Sequence, residues 1–448
     1  MLETHTPNRA PMIEAASTVT VCQMPAIGKY HTTAPPQPQA AGMSANLWHR
    51  MLELTIDHFS QSWFREISVG RLIAAIIASA LSLSTASAQI RIGVMVSATG
   101  PTSAIGIPQR NTAALLPPKI GDATTEYILL EDGGDTTRAV QNAKKLIGES
   151  NIDALIGPST TPNAFAILDL VAEAKVPLLA TVGTQSVVDP IDAKKRWVFK
   201  TTQNDDLIAA ALLKHMVKNG VKTIGFIGFN DPYGENWYKV FAGLGEKAGI
   251  RIVASERYAR ADQSVTGQAL KLVAAKPDAV LIAAVGGPAV LPQATLYDLG
   301  YKGRIYQTHA VATDDFIRLG KEKVEGTVLA AGSMLVIDDI PNADPIKQVA
   351  LVYIGAYEKQ YGQKPATFGA NTYDAGLLLQ RAIPAALNSA KPGTEAFRIA
   401  LRDALERERD VVGCQGVFNM SPTDHNGMDE RARVLVTVRD GRFRLLPE

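Results

Sequence analysis

Two short segments place hydroxyl side chains and glycine directly after apolar runs. Gly157-Pro158-Ser159-Thr160-Thr161 follows the run at residues 154–156, and Thr181-Val182-Gly183-Thr184 follows the run at 176–180. Each run is brief and bounded by turn residues, so it reads as a strand and the hydroxyl segment as the loop leaving it. In open parallel sheets, ligands bind outside the carboxyl ends of the strands, where helix N-termini present free N–H groups. Hydroxyls beside exposed amides suit a carboxylate. A Ser or Thr in such a loop more often only caps the next helix. The recurrence of the pattern in two successive units is what points to an anion site.

Other chemistry has no support in the sequence. A dinucleotide fingerprint needs G-x-G-x-x-G between a strand and a helix. Gly225-Phe226-Ile227-Gly228 lies inside an apolar run, Val285-Gly286-Gly287-Pro288 follows one, and neither has that spacing. No phosphate-binding G-x-x-x-x-G-K-[ST] loop or G-x-S-x-G nucleophile elbow occurs. His215, His309 and His425 are far apart and form no metal-ligand spacing. With cysteine only at Cys22 and Cys414, neither a disulfide scaffold nor a thiolate zinc site can be built. The carboxylates are scattered and show no acid–base pair. Neither catalysis nor a cofactor nor a metal is therefore expected. The 45 basic and 44 acidic side chains leave a net charge of +1, without the basic surplus that nucleic-acid binding needs.

Positioning two such loops takes a sheet. Apolar runs at 90–96, 127–130, 154–156, 176–180, 223–229, 250–254, 279–284 and 327–331 show little polar alternation, the pattern of parallel strands buried on both faces. The first four begin roughly 20 to 40 residues apart, as βαβ units require. Helical stripes lie between them. Asp135 or Thr136 opens one with Val140, Ala143 and Ile147 inward, and Ile208, Ala211, Leu212, His215 and Met216 form another. Asp262 is expected to cap a third, carrying Val265, Ala269, Leu272 and Val273. His215, on its stripe, reads as core or boundary, His425 as part of a turn, and Trp197 and Trp237 as packing.

About ten units exceed what one open sheet holds, so two doubly wound α/β lobes are expected. The pattern pauses at 201–205, runs as helix from 345 to about 408, and closes with strands near 417–419 and 433–438. The chain is therefore expected to cross between lobes more than once, and three crossings would make a hinge. The expected division is 89–203 with 334–412 for the first lobe and 204–333 with 413–448 for the second.

Residues 1–88 read as an N-terminal extension plus signal peptide. Arg65 and Arg71 precede the apolar run 72–83, and Ala86-Ser87-Ala88 supplies a small-residue cleavage site before Gln89. Twelve apolar residues make about 18 Å of helix against the ~30 Å of a bilayer core, so the run is too short for an anchor. Cleavage after Ala88 and a periplasmic address are expected. So is a translation start downstream of Met1, at Met43, Met51 or nearer Arg71.

The stretch IRIGVMVSATGP at 90–101, Gly157-Pro158-Ser159-Thr160-Thr161, PLLATVGT at 177–184, Phe199-Lys200-Thr201-Thr202 and Asp231-Pro232-Tyr233-Gly234 occur in that order behind the signal. Together they resemble the periplasmic binding proteins of ABC importers, of the leucine/isoleucine/valine-binding type. The resemblance implies the type I fold: two Rossmann-like lobes, three hinge strands and a ligand trapped as the lobes close. It also implies a monomer with no catalytic activity that delivers a small molecule to permease subunits in the inner membrane. A sensory module passing its liganded form to a membrane receptor would look the same in sequence.

The resemblance places Thr161 against the ligand carboxylate, with Thr160 beside it. Val182, Gly183 and Thr184 supply the next loop, and Tyr233 an aromatic wall from the second lobe. Ser103 and Gly106 match the first loop, although Ile105 stands where an aromatic residue is usual. Gly286 and His309 complete the expected set. His309, in Gln307-Thr308-His309-Ala310-Val311, stands where the family carries an acid for the ammonium of an amino acid. A buried ammonium without a counter-charge costs about 3–5 kcal/mol, two to three decades of affinity or more. The expected ligand is therefore a carboxylate with an apolar or aromatic body. Relatives of this type bind benzoate-like and phenylpropanoid acids. A branched-chain amino acid remains the alternative.

Overall fold

The computed structural model describes residues 89–447, and the expected extension, signal and cleavage site lie outside them. The chain opens with β1 (Gln89–Val96), buried along nearly its whole length, as its unbroken apolar sequence requires. Five more strands join it: β2 (Lys119–Ile120), β3 (Ala123–Glu131), β4 (Ala154–Ile156), β5 (Leu178–Ala180) and β6 (Val198–Lys200). Their order is β2-β3-β1-β4-β5-β6, with β2 alone antiparallel. Helices α1 (Ser103–Ala113), α2 (Thr136–Gly148) and α3 (Thr161–Glu173) are the crossovers. Asp135 caps α2 by accepting from the Arg138 amide, as its type and position predict. The inward residues of α2 are Ala139, Ala143 and Leu146, while Val140 and Ile147 lie at the half-buried flank of the stripe.

The second sheet contains β7 (Thr223–Phe229), β8 (Arg251–Tyr258), β9 (Ala279–Ala283), β10 (Arg304–Gln307), β11 (Val328–Ala331), β14 (Val434–Arg439) and β15 (Arg442–Leu445). Its order is β15-β14-β11-β10-β9-β7-β8, parallel from β8 to β11 and closed by an antiparallel hairpin. Around it lie α4 (Asp205–Lys218), α5 (Pro232–Lys247), α6 (Thr266–Ala274), α7 (Val290–Asp298) and α8 (Asp314–Gly320). Asp262 does not cap α6. The helix starts at Thr266, and the Asp262 carboxylate instead accepts from the Ala259 amide to close a turn. β8 alternates exposed and half-buried residues because it is the sheet edge.

The expected helical stretch after β11 is three helices, α9 (Pro345–Tyr361), α10 (Thr367–Leu387) and α11 (Glu395–Leu405). Gly362, in the left-handed region at φ 69°, ends the first. Ala375, Leu378, Leu379, Ala382 and Ile383 of α10 pack with Ile92 and Val94 in the first core, whereas Phe368 at its start belongs to the second. A small hairpin, β12 (Val411–Val412) with β13 (Val417–Phe418), follows.

This hairpin corrects the expected last boundary. Phe418 and Met420 are buried in the first-lobe core, and His425 stacks on Phe199 with ring centroids 4.2 Å apart. Its Nδ1 lies 2.9 Å from the Val198 carbonyl oxygen. The chain therefore crosses only at about residues 429–433, not at 413. His425 is a buried packing residue, and the turn chemistry belongs to Asp424, which accepts from the Asn426 and Gly427 amides. Gln203 on the first crossing donates its Nε2 to the carbonyl of Ala432 (2.9 Å) on the last and to that of Gln415 (3.2 Å) in the hairpin, and a Cβ on Gly332 of the middle crossing would lie 3.0 Å from the same nitrogen.

Candidate functional site between the lobes

Both sheets reverse strand order near their middles, between β1 and β4 in the first and between β7 and β9 in the second. Such switch points leave a crevice at the carboxyl ends of the strands. The loops at these ends face each other. Ser159, Thr160 and Thr161 follow β4, and Thr181, Val182 and Gly183 follow β5. Thr202 lies on the first crossing. The second lobe supplies Tyr233 after β7, Arg260 after β8, Val285 after β9, and His309 with Ala310 after β10. Ile105 of α1 and Phe368 of α10 complete the lining of a cavity of about 30 Å³. The lobes touch beside it, where the Ser186 hydroxyl donates to Asn236 Oδ1 at 2.5 Å.

Of the ten residues expected here, seven line the cavity: Ile105, Thr160, Thr161, Val182, Gly183, Tyr233 and His309. Three do not. Ser103 is the first residue of α1, on a turn that directs Ile105 inward instead. Thr184 is fully buried behind Thr161, their hydroxyls 2.9 Å apart. Gly286 turns away at φ 59° and donates its amide to the Ala310 carbonyl, leaving Val285 at the wall. Gly106, on the same first turn as Ser103, is a packing position. A Cβ there would sit 2.1 Å from the Ser97 carbonyl carbon.

Polar groups around the cavity fall into two sets. One is already satisfied. The Tyr233 hydroxyl is 2.8 Å from Thr308 Oγ1. Ser159 donates to Gln109 Oε1 and accepts from the Ser97 amide. The other set is buried without a hydrogen-bond partner: Thr160 Oγ1, Thr202 Oγ1, Arg260 Nη1 and His309 Nδ1. Buried polar atoms in native proteins are nearly always paired, so four orphans around one cavity mark it as a polar binding site. A larger cavity, about 410 Å³, lies on the other side of α1 against residues 334–339 and 442–444. None of its lining side chains carries such an orphan.

The electrostatics are set by burial. His309 is pulled down to about 3, chiefly by loss of water and then by the Lys200 ammonium, so its imidazole is neutral at any physiological pH. Lys200 is fully buried at the end of β6. Its ammonium donates to the carbonyls of Gly183 (2.7 Å), Thr202 (2.8 Å), Gln203 (3.0 Å) and Val182 (3.2 Å). Those carbonyls are thereby turned from the cleft, so the 182–184 loop does not offer them to a ligand. Burial lowers Lys200 and raises the nearby Asp205, and the attraction between the two opposes both shifts. The Asp205 carboxylate accepts from Asn236 Nδ2 at 2.6 Å and does not line the cavity.

Arg260 and Thr202 were not among the expected residues. Arg260 comes from an irregular segment after an edge strand, with no motif to single it out. Thr202 had a signal, since Phe199-Lys200-Thr201-Thr202 is one of the segments that carry the resemblance. Trp237 is fully buried in the second core with its ring centroid 6.1 Å from that of His309, so its packing role stands. His215 is buried on α4, with Nδ1 2.9 Å from the Tyr306 hydroxyl.

The arrangement converges polar groups from both lobes on a cavity that, at about 30 Å³, has room for little more than water, so a larger ligand needs the lobes further apart. The site offers no nucleophile–base pair, and no group of three or more potential metal ligands occurs among the described residues. Comparison with known proteins agrees. An extracellular ligand-binding receptor from Rhodopseudomonas palustris HaA2 is 46% identical, with 80% of this chain and 100% of that one aligned and a TM-score of 0.78. The Leu/Ile/Val-binding protein BraC3 of Rhizobium johnstonii is 25% identical over 58% of this chain and 72% of its own length. A solute-binding protein of an ABC transporter from R. palustris, solved with benzoate, shares the fold at 20% identity. That alignment has a TM-score of 0.69 and spans 80% of this chain and 95% of that one. The family model for periplasmic binding proteins matches residues 89–442, and the chain belongs to this family of solute-binding proteins, which are not enzymes.

Proposed function

We propose that the protein is the extracytoplasmic receptor of an ABC importer and traps a small carboxylate with an apolar or aromatic body. One observation carries the ligand class: no Asp or Glu lines the cavity. The residue at the position expected to hold an acid is His309, which is neutral there, and Asp231 is engaged by Arg260. An α-ammonium would find no counter-charge, at a cost of about 3–5 kcal/mol. Hydroxyls of Thr160 and Thr202 and the amides opening α3 supply donors for a carboxylate. Ile105, Val182, Val285, Phe368 and the Tyr233 ring supply an apolar enclosure. The benzoate complex of a protein with the same fold gives a precedent for that class. Capture in the periplasm and delivery to permease subunits follow from the same reading.

The test is a thermal-shift screen of the purified protein with benzoate, 3-phenylpropanoate, hexanoate, leucine and isoleucine. A bound ligand at a hundredfold over its Kd adds about 2.7 kcal/mol of stability. The expected result is a shift with at least one of the amine-free acids and none with the amino acids. A larger shift with isoleucine than with every such acid would overturn the ligand class. Loss of uptake of the bound acid on deletion of the gene tests the transport role.

A further inference from the structure

The first-lobe hydroxyl loops are where this fold was expected to hold an anion. The second lobe also carries a guanidinium into the cleft, and its surroundings make it a built feature. Arg260 Nε donates to Asp231 Oδ2 at 2.6 Å. The other oxygen of that carboxylate is committed to capping α5, accepting from the Tyr233 and Gly234 amides. The guanidinium carbon sits 4.4 Å from the centroid of the Phe229 ring. Asp231 and Phe229 thus fix Arg260 on two sides. Its Nη1 is buried and has no acceptor, and the side chain lines the cavity. A buried guanidinium N–H without an acceptor is costly, and a carboxylate oxygen is the acceptor that fits it best.

We propose that Arg260 is a specificity-determining contact of the second lobe that donates Nη1–H to the ligand anion when the cleft is shut. This deepens the reading of the ligand as a carboxylate and rests on it. It assigns the charge of the site to the second lobe and neutral hydroxyl and amide donors to the first. The anion is then gripped from both sides, and the guanidinium favours the closed form of the liganded protein. Selectivity follows: an acid binds and its isosteric primary amide does not, because the amide brings no charge to Arg260. His309, neutral and with a free Nδ1, supplies a further hydrogen bond without adding charge.

The experiment compares wild type with Arg260→Gln and Arg260→Lys by calorimetric titration, using benzoate with benzamide and 3-phenylpropanoate with its amide. In the wild type, the acid should bind at least about tenfold more tightly than its amide. In Arg260→Gln, affinity for the acid should fall at least about tenfold while the amide is little changed, so the preference collapses. Arg260→Lys should keep part of it, because the charge remains but the fork is lost. A purely structural role, through the Asp231 pair, would weaken acid and amide alike, and that outcome overturns the proposal. Equal acid affinity in wild type and Arg260→Gln overturns it as well, and leaves the carboxylate reading standing. If no acid binds the wild type, the carboxylate reading falls and takes this inference with it.

Discussion

Gly183 shows how much at this site depends on a single missing carbon. A Cβ built there would lie 2.6 Å from His309 Nε2, 2.8 Å from its Cε1 and 3.0 Å from Asp205 Oδ1. His309 belongs to the second lobe, so the clash exists only while the lobes are together. Gly183→Ala should therefore spare the open form and penalise the closed one. Overpacking of this kind costs about 1–3 kcal/mol, so ligand affinity should drop roughly tenfold. The melting temperature without ligand should hardly move. Calorimetry and small-angle scattering at saturating ligand would check both parts, and an unchanged affinity with a compact liganded form would count against the closure contact. The glycine could be placed at the site from its loop, but its use could not, because the atom it makes room for is 126 positions away. Arg260 lay beyond reach for a related reason: an isolated arginine after an edge strand reads as surface until the fold brings Asp231 and Phe229 to it. Thr160 and Thr161 are legible because they follow a strand in a parallel sheet, where position along the chain fixes position in the crevice, whereas Tyr233 is placed there by the resemblance.

Element interiors are more legible in the sequence than the joints between elements. β1, β4, β7 and β9 are unbroken apolar runs because both faces are covered, and such runs stand out. β6 is only three residues, Val198–Lys200, and includes a lysine, so no apolar pattern marks it. That lysine is buried because four loop carbonyls converge on it, a tertiary circumstance with no local signal. The last crossing falls later than the sequence suggests, because a two-stranded hairpin on the first lobe resembles in sequence the strands that close the second. Helix α1 shows how an element is fixed relative to the site. Its Gly106 lies against the backbone leaving β1, with no space for a methyl group between them. Gly106→Ala should push α1 away, lower stability by about 2 kcal/mol or more, and withdraw Ile105 from the cavity. Chemical denaturation should show a lower midpoint, and binding should weaken through loss of an apolar wall. A midpoint equal to that of the wild type would mean that the helix accommodates the methyl group without moving.

At the scale of the whole molecule, closure and protonation are linked through His309. In the closed cleft its imidazole is held down to about 3 by burial and by the Lys200 ammonium. On opening, the 182–184 loop would withdraw and water return, so the ring is expected to move back toward its ordinary value near 6.5. Below that value the open form binds the extra proton and the closed form does not, so acid favours opening and weakens the ligand's hold. Above about pH 7 both forms carry a neutral ring and the effect vanishes. At pH 5, about 1.5 pH units below the open-form value, the linkage is worth about 2 kcal/mol, or roughly thirtyfold in affinity. Asp205 stands at the same corner, is raised by burial, and titrates with the opposite sign if opening hydrates it. The clean measurement is therefore the wild-type profile against that of His309→Gln, with an acid ligand, from pH 7.5 to 5. The ratio of wild-type to variant Kd should grow by at least about tenfold across that range, and parallel profiles would show that His309 stays dry when the lobes open. The His309 contribution, isolated in this way, loosens the grip on acidification, with the sensing group inside the cleft that the ligand occupies.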